Sequence, residues 1–238
     1  MKCKQLFLRF SALGLLSLFI SCTARVGSGH IVTENRHTGD FHGISSSAAI
    51  DVELVSGPTT EVVVSADDNI LKYVRTEVED GILRIGYRNN SSISNSHVKV
   101  FVTAPAVDDL NASSSADILA KNVLKSNGTI RLQASSSGSV TAEVDAPQVD
   151  ARASSSGDIK LAGRTRDYSA DASSAGQIKS FDLLSENARV SVNSGGSARV
   201  YASVKLKAEA SSGGDVDYRG GAAVEKTENS GGSVSRKD

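Results

Sequence analysis

The segment Ala153-Ser154-Ser155-Ser156-Gly157-Asp158-Ile159 determines how the rest of the chain can fold. It is one copy of a motif in which a small residue, a run of serines and glycines, and one polar residue precede an Ile or Val anchor. Seven copies end at Ile118, Val140, Ile159, Ile178, Val200, Val216 and Val234, and an eighth, residues 44–50, lies far upstream. The seven anchors are 16 to 22 residues apart, and a period near 20 residues is typical of stacked repeats.

Alternating side chains on both sides of the motif indicate short β-strands. Val149, Ala151 and Ala153 alternate with Asp150 and Arg152, so one face of the strand is aliphatic and the other is charged. Units stacked at about 4.8 Å would form two parallel sheets that face each other across a thin aliphatic core. The sequence therefore predicts an all-β fold, a right-handed parallel β-helix-like solenoid of about 20-residue coils.

Each position of the motif has a predicted role in a tight corner between the two sheets. A small residue such as Ala153 fits where the sheets converge, and Gly157 is expected to adopt a left-handed backbone conformation. The serine hydroxyls are expected to bond to turn amides or to the equivalent serine of the next coil. On this interpretation the repeated hydroxyls are structural and need no catalytic role.

Upstream of the repeats the pattern predicts strands of another kind. Asp80-Gly81 separates two alternating runs, which is a strong hairpin signal because both residues of the tight turn need positive φ. Asp67 and Asp68 precede a short apolar pair, so we expect them to cap a helical turn, with a cation site as the alternative. We expect one domain over residues 30–238, with N-terminal strands and an antiparallel hairpin in 30–109 and the repeats in 110–238.

The first residues have the features of an export signal. A basic segment with Lys2, Lys4 and Arg9 precedes an apolar run that is too short to span a bilayer. The following Ser21-Cys22 resembles the lipobox of bacterial lipoproteins. We expect residues 1–21 to be a lipoprotein signal peptide, Cys22 to carry the lipid and residues 22–29 to form a tether; the alternative is a secretory signal cut nearby, with Cys22 incidental.

Composition limits the function further. Removal of Lys2, Lys4 and Arg9 changes the formal net charge from −1 to −4. The exported chain then lacks the basic surface that nucleic-acid binding requires. Cys22 would be its only cysteine, so an intrachain disulfide is excluded. Aromatic residues make up 5% of the chain and Trp is absent, so Tyr would have to supply any stacking surface for sugars.

The order of these features resembles one family, the putative auto-transporter adhesin head domain, or GIN domain, common in lipoproteins of Bacteroidetes. The segments that carry the resemblance are Gly27 to Glu34, Phe41 with Ile44, Ile50 to Leu54, Ala66 to Leu71, Glu77 to Gly81, Val100 to Pro105 and Leu110 to Ile118, together with the repeats. The resemblance implies a β-helix related in shape to pectin lyases and a role in cell adhesion. No catalytic residue comes with the resemblance.

Two groups of side chains could carry chemistry. Asp117, Asp158 and Asp215 each precede an anchor, but they belong to non-adjacent coils and would lie about 10 Å or more apart, too far to share one ion. His37 and His42 lie near Asp40, but no third ligand has a supporting spacing for a metal site. No serine lies in a nucleophile elbow. The sequence therefore predicts lipid attachment at Cys22 and no catalytic, cofactor or metal residue.

Three functions are compatible with the sequence. The first is a non-enzymatic, adhesin-like envelope lipoprotein, held at the outer membrane through Cys22, that binds an unknown protein or glycan. The second is a carbohydrate-active β-helix enzyme that resembles polysaccharide lyases, and the third is a periplasmic scaffold or accessory protein. Homo-oligomers, trimers included, are compatible with the sequence.

Overall fold

The computed structural model describes residues 25–88, 93–94 and 96–238. The expected signal peptide and the predicted lipid-attachment residue Cys22 lie outside the described residues. No helix in the described part of the chain has the length and apolar character needed to cross a membrane.

The described part of the chain consists mainly of strands, and a 3-10 turn lies at Leu71–Tyr73. The N-terminal strands are β1 (Arg25–Val26), β2 (Ile31–Arg36), β3 (Gly43–Ser46), β4 (Asp51–Ser56), β5 (Glu61–Asp67), β6 (Val74–Glu79), β7 (Ile82–Tyr87), β8 (Ile93–Ser94) and β9 (Lys99–Ala104). The repeat strands are β10 (Asp109–Ala112), β11 (Asp117–Ala120), β12 (Leu124–Lys125), β13 (Thr129–Ala134), β14 (Ser139–Ala153), β15 (Asp158–Ala172), β16 (Gln177–Val192), β17 (Ser197–Tyr201), β18 (Lys205–Ala210), β19 (Asp215–Arg219), β20 (Ala223–Glu228) and β21 (Ser233–Arg236).

The repeats wind into a solenoid with two long faces of parallel strands. Face A contains β10, β13, the second halves of β14, β15 and β16, and then β18 and β20. Face B contains β11, the first halves of β14, β15 and β16, and then β17, β19 and β21. The serine-glycine motif turns the chain from face A to face B. The predicted fold class, an all-β parallel solenoid, is confirmed.

The N-terminal strands extend both faces and change their direction. Face A continues through β3 and β7 to the antiparallel strand β6, so the hairpin predicted at Asp80-Gly81 is present. Face B continues through β4 and β9 and then through the antiparallel strands β5 and β2. Residues 25–29, expected within the tether, include β1, which pairs with β8.

The core is a thin aliphatic layer between the two faces. On face A the inward column Leu132, Ala151, Ala170, Val190 and Ala208 is fully or nearly fully buried and contains three alanines among its five residues. The outward neighbours on the same strands are polar or charged. Burial of the aliphatic columns is the main stabilising term, since it scales with the apolar area removed from water.

The register corrects two of the predicted anchors. Ile178 pairs with Ala198, and Ala198 pairs with Val216, so Ala198 and not Val200 begins the inward strand of that coil. In the upstream copy Val52 pairs with Ile118, so Val52 and not Ile50 is the anchor. The prediction assumed that Ile or Val is always the first inward residue after the corner. In the structure, alanine also occupies this position in the inward column of face B.

The corners have left-handed backbone one position earlier than expected. Ser155 and Ser156 have φ of 49° and 63°, and each of the other corners likewise has two consecutive residues with positive φ. Gly157 lies outside the left-handed region, so the predicted role of this glycine was wrong. Glycine is required there because a Cβ would lie 2.2 Å from the Ala134 carbonyl oxygen of the preceding coil.

The hydrogen bonds that join successive corners are made by the backbone. The Ser156 amide donates to the Ser174 carbonyl at 3.1 Å, and the Ser137 amide donates to the Ser155 carbonyl at 3.1 Å. Among the described residues, the hydroxyls of the corner serines from 113 to 230 make no hydrogen bond within the chain. The predicted hydroxyl contacts are therefore wrong for the repeats.

The predicted aspartate cap is also wrong, because Ile70 precedes the 3-10 turn and no side chain caps it. Asp67 is fully buried and accepts hydrogen bonds from the amides of His97 at 2.9 Å and Gly29 at 2.7 Å. These bonds, that from His97 above all, lower the pKa of Asp67. Asp68 accepts a bond from the Ser28 hydroxyl at 2.6 Å, which lowers its pKa. Both carboxylates tie the N-terminal segment to the end of β5.

Charged residues close the C-terminal end of the core. Lys226 and Glu228 occupy the inward column of β20, beside Ala208 and Ala210 of the preceding coil. They form an ion pair at 3.2 Å, and Glu228 also accepts the Val234 amide at 2.6 Å. Inward-pointing charge on an edge strand opposes the addition of a further strand.

Candidate functional site

A groove of about 390 Å³ crosses face A, and we call it the face A groove. Its walls come from four consecutive coils, so no single segment of the chain could form it. The lining residues are Gln148, Asp150, Asp167, Tyr168, Ser169, Asn187, Ala188, Arg189, Lys205 and Lys207.

The walls of the groove consist of two adjacent columns of outward-facing side chains. In the first, Gln148, Asp167, Asn187 and Lys205 pair in register across successive coils. The second column contains Asp150, Ser169, Arg189 and Lys207 in the same order. The depression lies at Ser169, because this short side chain separates the longer Asp150 and Arg189 within its column.

A buried polar contact supports the floor of the groove. The Tyr168 side chain is 3% exposed, and its hydroxyl donates to the Ser180 hydroxyl at 3.0 Å. Ser180 in turn donates to the Arg199 carbonyl at 2.7 Å. Burial raises the pKa of Tyr168 well above its ordinary value, so this phenol remains neutral.

The register between β15 and β16 is irregular near Ser180, the hydrogen-bond partner of the tyrosine. Lys160 pairs with Lys179, but Ala162 pairs with Asp182, so two residues of β16 oppose Leu161 of β15. Ser180 lies two residues after the inward-facing Ile178, so its hydroxyl also faces the interior and reaches Tyr168, and the bulge begins at this position. Bulges of this kind commonly redirect side chains near binding sites.

The charges in the groove are separated along the solenoid. At one end, Asp167 accepts hydrogen bonds from Arg166 at 2.8 Å and from Asn187 at 2.9 Å, and these bonds lower its pKa, Arg166 having the larger effect. Asp150 accepts a bond from Gln148 at 3.2 Å.

The other end of the groove is basic. Lys207 forms an ion pair with Glu209 at 2.9 Å. Arg189 and Lys205 form no ion pair with any of the residues that the structure describes. Arg189 is nevertheless close enough to Glu209 to contribute to the lowered pKa of that carboxyl, after the larger effect of Lys207. The groove therefore presents hydrogen-bond acceptors at one end and cations at the other, an arrangement suited to binding a polar ligand.

A second depression, of about 500 Å³, lies at the bend from face B to face A. Its main charged feature is the bidentate pair of Arg164 with Asp145, with N–O distances of 2.9 and 2.7 Å. Hydrogen bonding from Arg164 lowers the pKa of Asp145. Because the two charges compensate each other, this depression offers fewer free groups to a ligand than the face A groove does.

The three carboxylates singled out in the sequence stay apart. Asp117 accepts the Ser139 hydroxyl at 2.5 Å, Asp215 accepts the Ser233 hydroxyl at 2.6 Å, and Asp158 pairs with Lys179. Each is thus engaged with the next coil, and the three do not form one site. Asp51, which the sequence reasoning overlooked, lies beside Asp117, and its pKa is raised by burial and then by that neighbouring charge.

The histidines do not come together either. The Nδ1 atom of His42 lies 3.0 Å from a carboxylate oxygen of Asp108. Within residues 25–88, 93–94 and 96–238, no three His, Cys, Asp or Glu side chains are arranged to hold a metal ion.

Sequence reasoning missed the face A groove because the groove depends on register across coils. Asp150 and Arg152 were recognised only as outward residues of one strand, and Ser169 has no distinguishing sequence context. Alignment of the coils on Ala198 instead of Val200 would have placed Ser169 between Asp150 and Arg189. The single extra residue at the bulge is visible only after that correction.

The fold and its surface define a class, the parallel β-solenoids that are wound from short coils with tight serine-glycine corners. Residues 40–222 match the family described as "Putative auto-transporter adhesin, head GIN domain", and the chain belongs to this family. The resemblance noted in the sequence is thereby confirmed. No curated protein matches the chain.

Solved structures share the whole architecture. A putative adhesin from Bacteroides fragilis has a TM-score of 0.79 at 17% identity, over 89% of this chain and 98% of that chain. A putative lipid binding protein from Parabacteroides distasonis has a TM-score of 0.73 at 23% identity, over 91% of this chain and 100% of that chain. A putative adhesin from the same species has a TM-score of 0.71 at 21% identity, over 90% and 100%. At these identities the similarity shows the fold.

Proposed function

We propose that this protein is a non-enzymatic, adhesin-like binding module of the cell envelope that holds a glycan or protein ligand in the face A groove. The observation that carries the proposal is the groove itself, in which two cations without ion-pair partners face a set of hydrogen-bond acceptors. The adhesin description of the family and of two structural neighbours supports a binding role.

Catalysis by a lyase-like mechanism has less support. Such an enzyme needs a base close to the scissile bond and a cation or equivalent charge to stabilise the developing anion. The carboxylates Asp117, Asp158 and Asp215 are each engaged on separate coils of face B, away from the groove. The acceptors of the groove, Asp150 and Asp167, are themselves hydrogen-bonded to neighbours.

The proposal includes a lipid anchor at Cys22 and location at the outer membrane. Residue 25, where the described chain begins, follows the cysteine closely and pairs through β1 with β8 near the N-terminal end of the solenoid. An anchor there would leave the face A groove, which lies in later coils, free of the membrane. Fractionation of cells that carry Cys22→Ala tests the anchor, since we expect the variant to leave the membrane fraction.

The side of the outer membrane is tested by protease treatment of intact cells. Cleavage of the protein in intact cells supports a surface-exposed adhesin. Complete protection, with cleavage only after lysis, would contradict adhesion to other cells and favour a periplasmic role.

The binding role is tested by filling the groove. We expect Ser169→Tyr to abolish binding of the purified full-length protein to an array of glycans and to intact cells, because the larger side chain occupies the depression. The matched control is Ser191→Tyr, on the same face but outside the groove, which should bind as the wild type does. Equal binding by both variants would contradict a ligand site in the groove.

A further inference from the structure

We infer that the ligand of the face A groove is an acidic polysaccharide, with a sugar carboxylate bound at the basic end and sugar hydroxyls bound at the acidic end. This inference rests on the proposed function and specifies its ligand class. A ligand that contacts both ends of the groove must carry an anionic group and several hydroxyl groups. Polysaccharides that contain uronic acids have a carboxylate and hydroxyl groups on each acidic sugar.

The basic end has the groups that a carboxylate needs. Arg189 and Lys207 occupy equivalent positions on successive coils of one outward column. Lys205 lies on the same coil as Lys207, in the neighbouring outward column. Arg189 and Lys205 have no ion pair among the described residues. An arginine guanidinium can hold a carboxylate through two parallel hydrogen bonds, and an adjacent lysine adds charge without a fixed direction.

The acidic end has the groups that sugar hydroxyls need. The Asn187 amide nitrogen donates to Asp167, which leaves its amide oxygen as an acceptor. Asp150 and Asp167 add carboxylate oxygens, which accept hydrogen bonds from hydroxyl groups. Because these side chains are already held by hydrogen bonds to neighbouring residues, they lose little conformational freedom when a ligand binds.

The lining of the groove favours a polysaccharide over two other kinds of ligand. A peptide would normally anchor apolar or aromatic side chains, but the apolar lining residues Tyr168 and Ala188 are only 3% and 5% exposed. A lipid chain would need an apolar cavity, whereas the interior between the two faces is filled by aliphatic side chains. From the Asp150 coil to the Lys207 coil the groove extends about 14 Å, enough for an extended polar chain.

The test compares one polysaccharide with and without its negative charge. Purified full-length protein is titrated with polygalacturonate and with the same polymer after methyl esterification of its carboxylates. We expect the esterified polymer to bind at least about tenfold more weakly, since it lacks the anion that Arg189 and Lys205 would hold. Equal affinity for the two polymers would overturn the inference.

Variants then locate the site. Arg189→Gln and Lys205→Gln should each weaken binding of polygalacturonate by about tenfold or more. Lys160→Gln is the matched control, since Lys160 is an exposed cation on face B that has no ion pair in the described part of the chain. An equal loss in all three variants would show attraction by overall charge and would contradict the site.

The inference and the proposed function can fail separately. If the protein binds a neutral glycan or a protein and Ser169→Tyr abolishes that binding, the groove is a ligand site but the acidic ligand class is wrong. If Ser169→Tyr changes no binding at all, both are wrong. Thermal unfolding of each variant, compared with the wild type, verifies that the solenoid is intact.

Discussion

Gly157 lies where the corner of one coil crosses the backbone of the preceding coil. A Cβ at this position would lie 2.2 Å from the Ala134 oxygen and 2.4 Å from its carbonyl carbon. Real side chains do not approach a backbone so closely, and two coils held by hydrogen bonds cannot separate locally. The glycine is therefore required by close packing of the coils.

The Gly157→Ala variant tests this explanation. We expect a loss of about 1–3 kcal/mol in the free energy of unfolding, measured by urea denaturation, as for other overpacked positions. Gly39→Ala is the control, because a Cβ at Gly39 meets no atom within 4 Å. Equal stability of the two variants would contradict the steric role.

The buried phenol of Tyr168 gives a prediction about alkaline pH. Burial raises its folded-state pKa above the value of about 10 for an unfolded tyrosine, so the folded state keeps the proton that the unfolded state releases. Its contribution to stability is thus present below pH of about 10 and falls as the pH rises above that value.

Comparison with Tyr168→Phe measures this contribution. Melting temperatures at pH 9 and pH 11, roughly one unit either side of that ordinary pKa, should show a larger alkaline loss for the wild type than for the variant. At pH 7 the variant should lose about 1 kcal/mol, because the phenol no longer donates to Ser180. Identical alkaline losses in the two proteins would contradict the assignment.

At the scale of the elements, each corner is a turn with two left-handed residues. Left-handed conformation costs about 1–2 kcal/mol per non-glycine residue. The corner at Ser155 and Ser156 meets this cost with backbone hydrogen bonds to both neighbouring coils. Later corners make the same bonds and also have glycine at the second position, as in Gly195, Gly213 and Gly231.

Substitution of Ser156 separates these contributions. Ser156→Val should destabilise the protein by about 1–2 kcal/mol in urea denaturation, because a β-branched residue is strained at positive φ. Ser156→Gly, which copies the later corners, should be at least as stable as the wild type. If valine were as well tolerated as glycine, the left-handed geometry of the corner would be wrong.

The sequence predicted the period, the alternation of the strands, the aliphatic core and the hairpin at Asp80-Gly81, because these depend on local patterns. It did not predict that Ala198 is an anchor or that Gly157 is needed for space, because both depend on the neighbouring coil. The face A groove escaped prediction for the same reason. Ser169 becomes significant only when Asp150 and Arg189 are placed on either side of it.

At the scale of the whole molecule, the two ends of the solenoid differ. The N-terminal end is covered by antiparallel strands, whereas the C-terminal end has the Lys226 and Glu228 pair in its inward column. A stack of parallel strands without such charges would present an open apolar edge to another chain. We therefore regard the pair as the feature that ends the stack.

Replacement of both charges tests this role. The double variant Lys226→Val and Glu228→Val should form larger, concentration-dependent assemblies than the wild type in light-scattering measurements. Glu225→Val with Thr227→Val places the same residues on the outward side of β20 and serves as the control. Assemblies of the same size in both double variants would contradict a specific role for the inward charges.

The whole surface is consistent with a binding module, because the long outward columns carry polar side chains from many coils into one continuous face. The most direct measurement is a crystal structure of the protein with an oligogalacturonate. We predict that the sugar lies in the face A groove with a carboxylate between Arg189 and Lys205. An oligosaccharide bound elsewhere, as along the hydroxyls of the corners, or an empty groove at saturating ligand, would contradict this account.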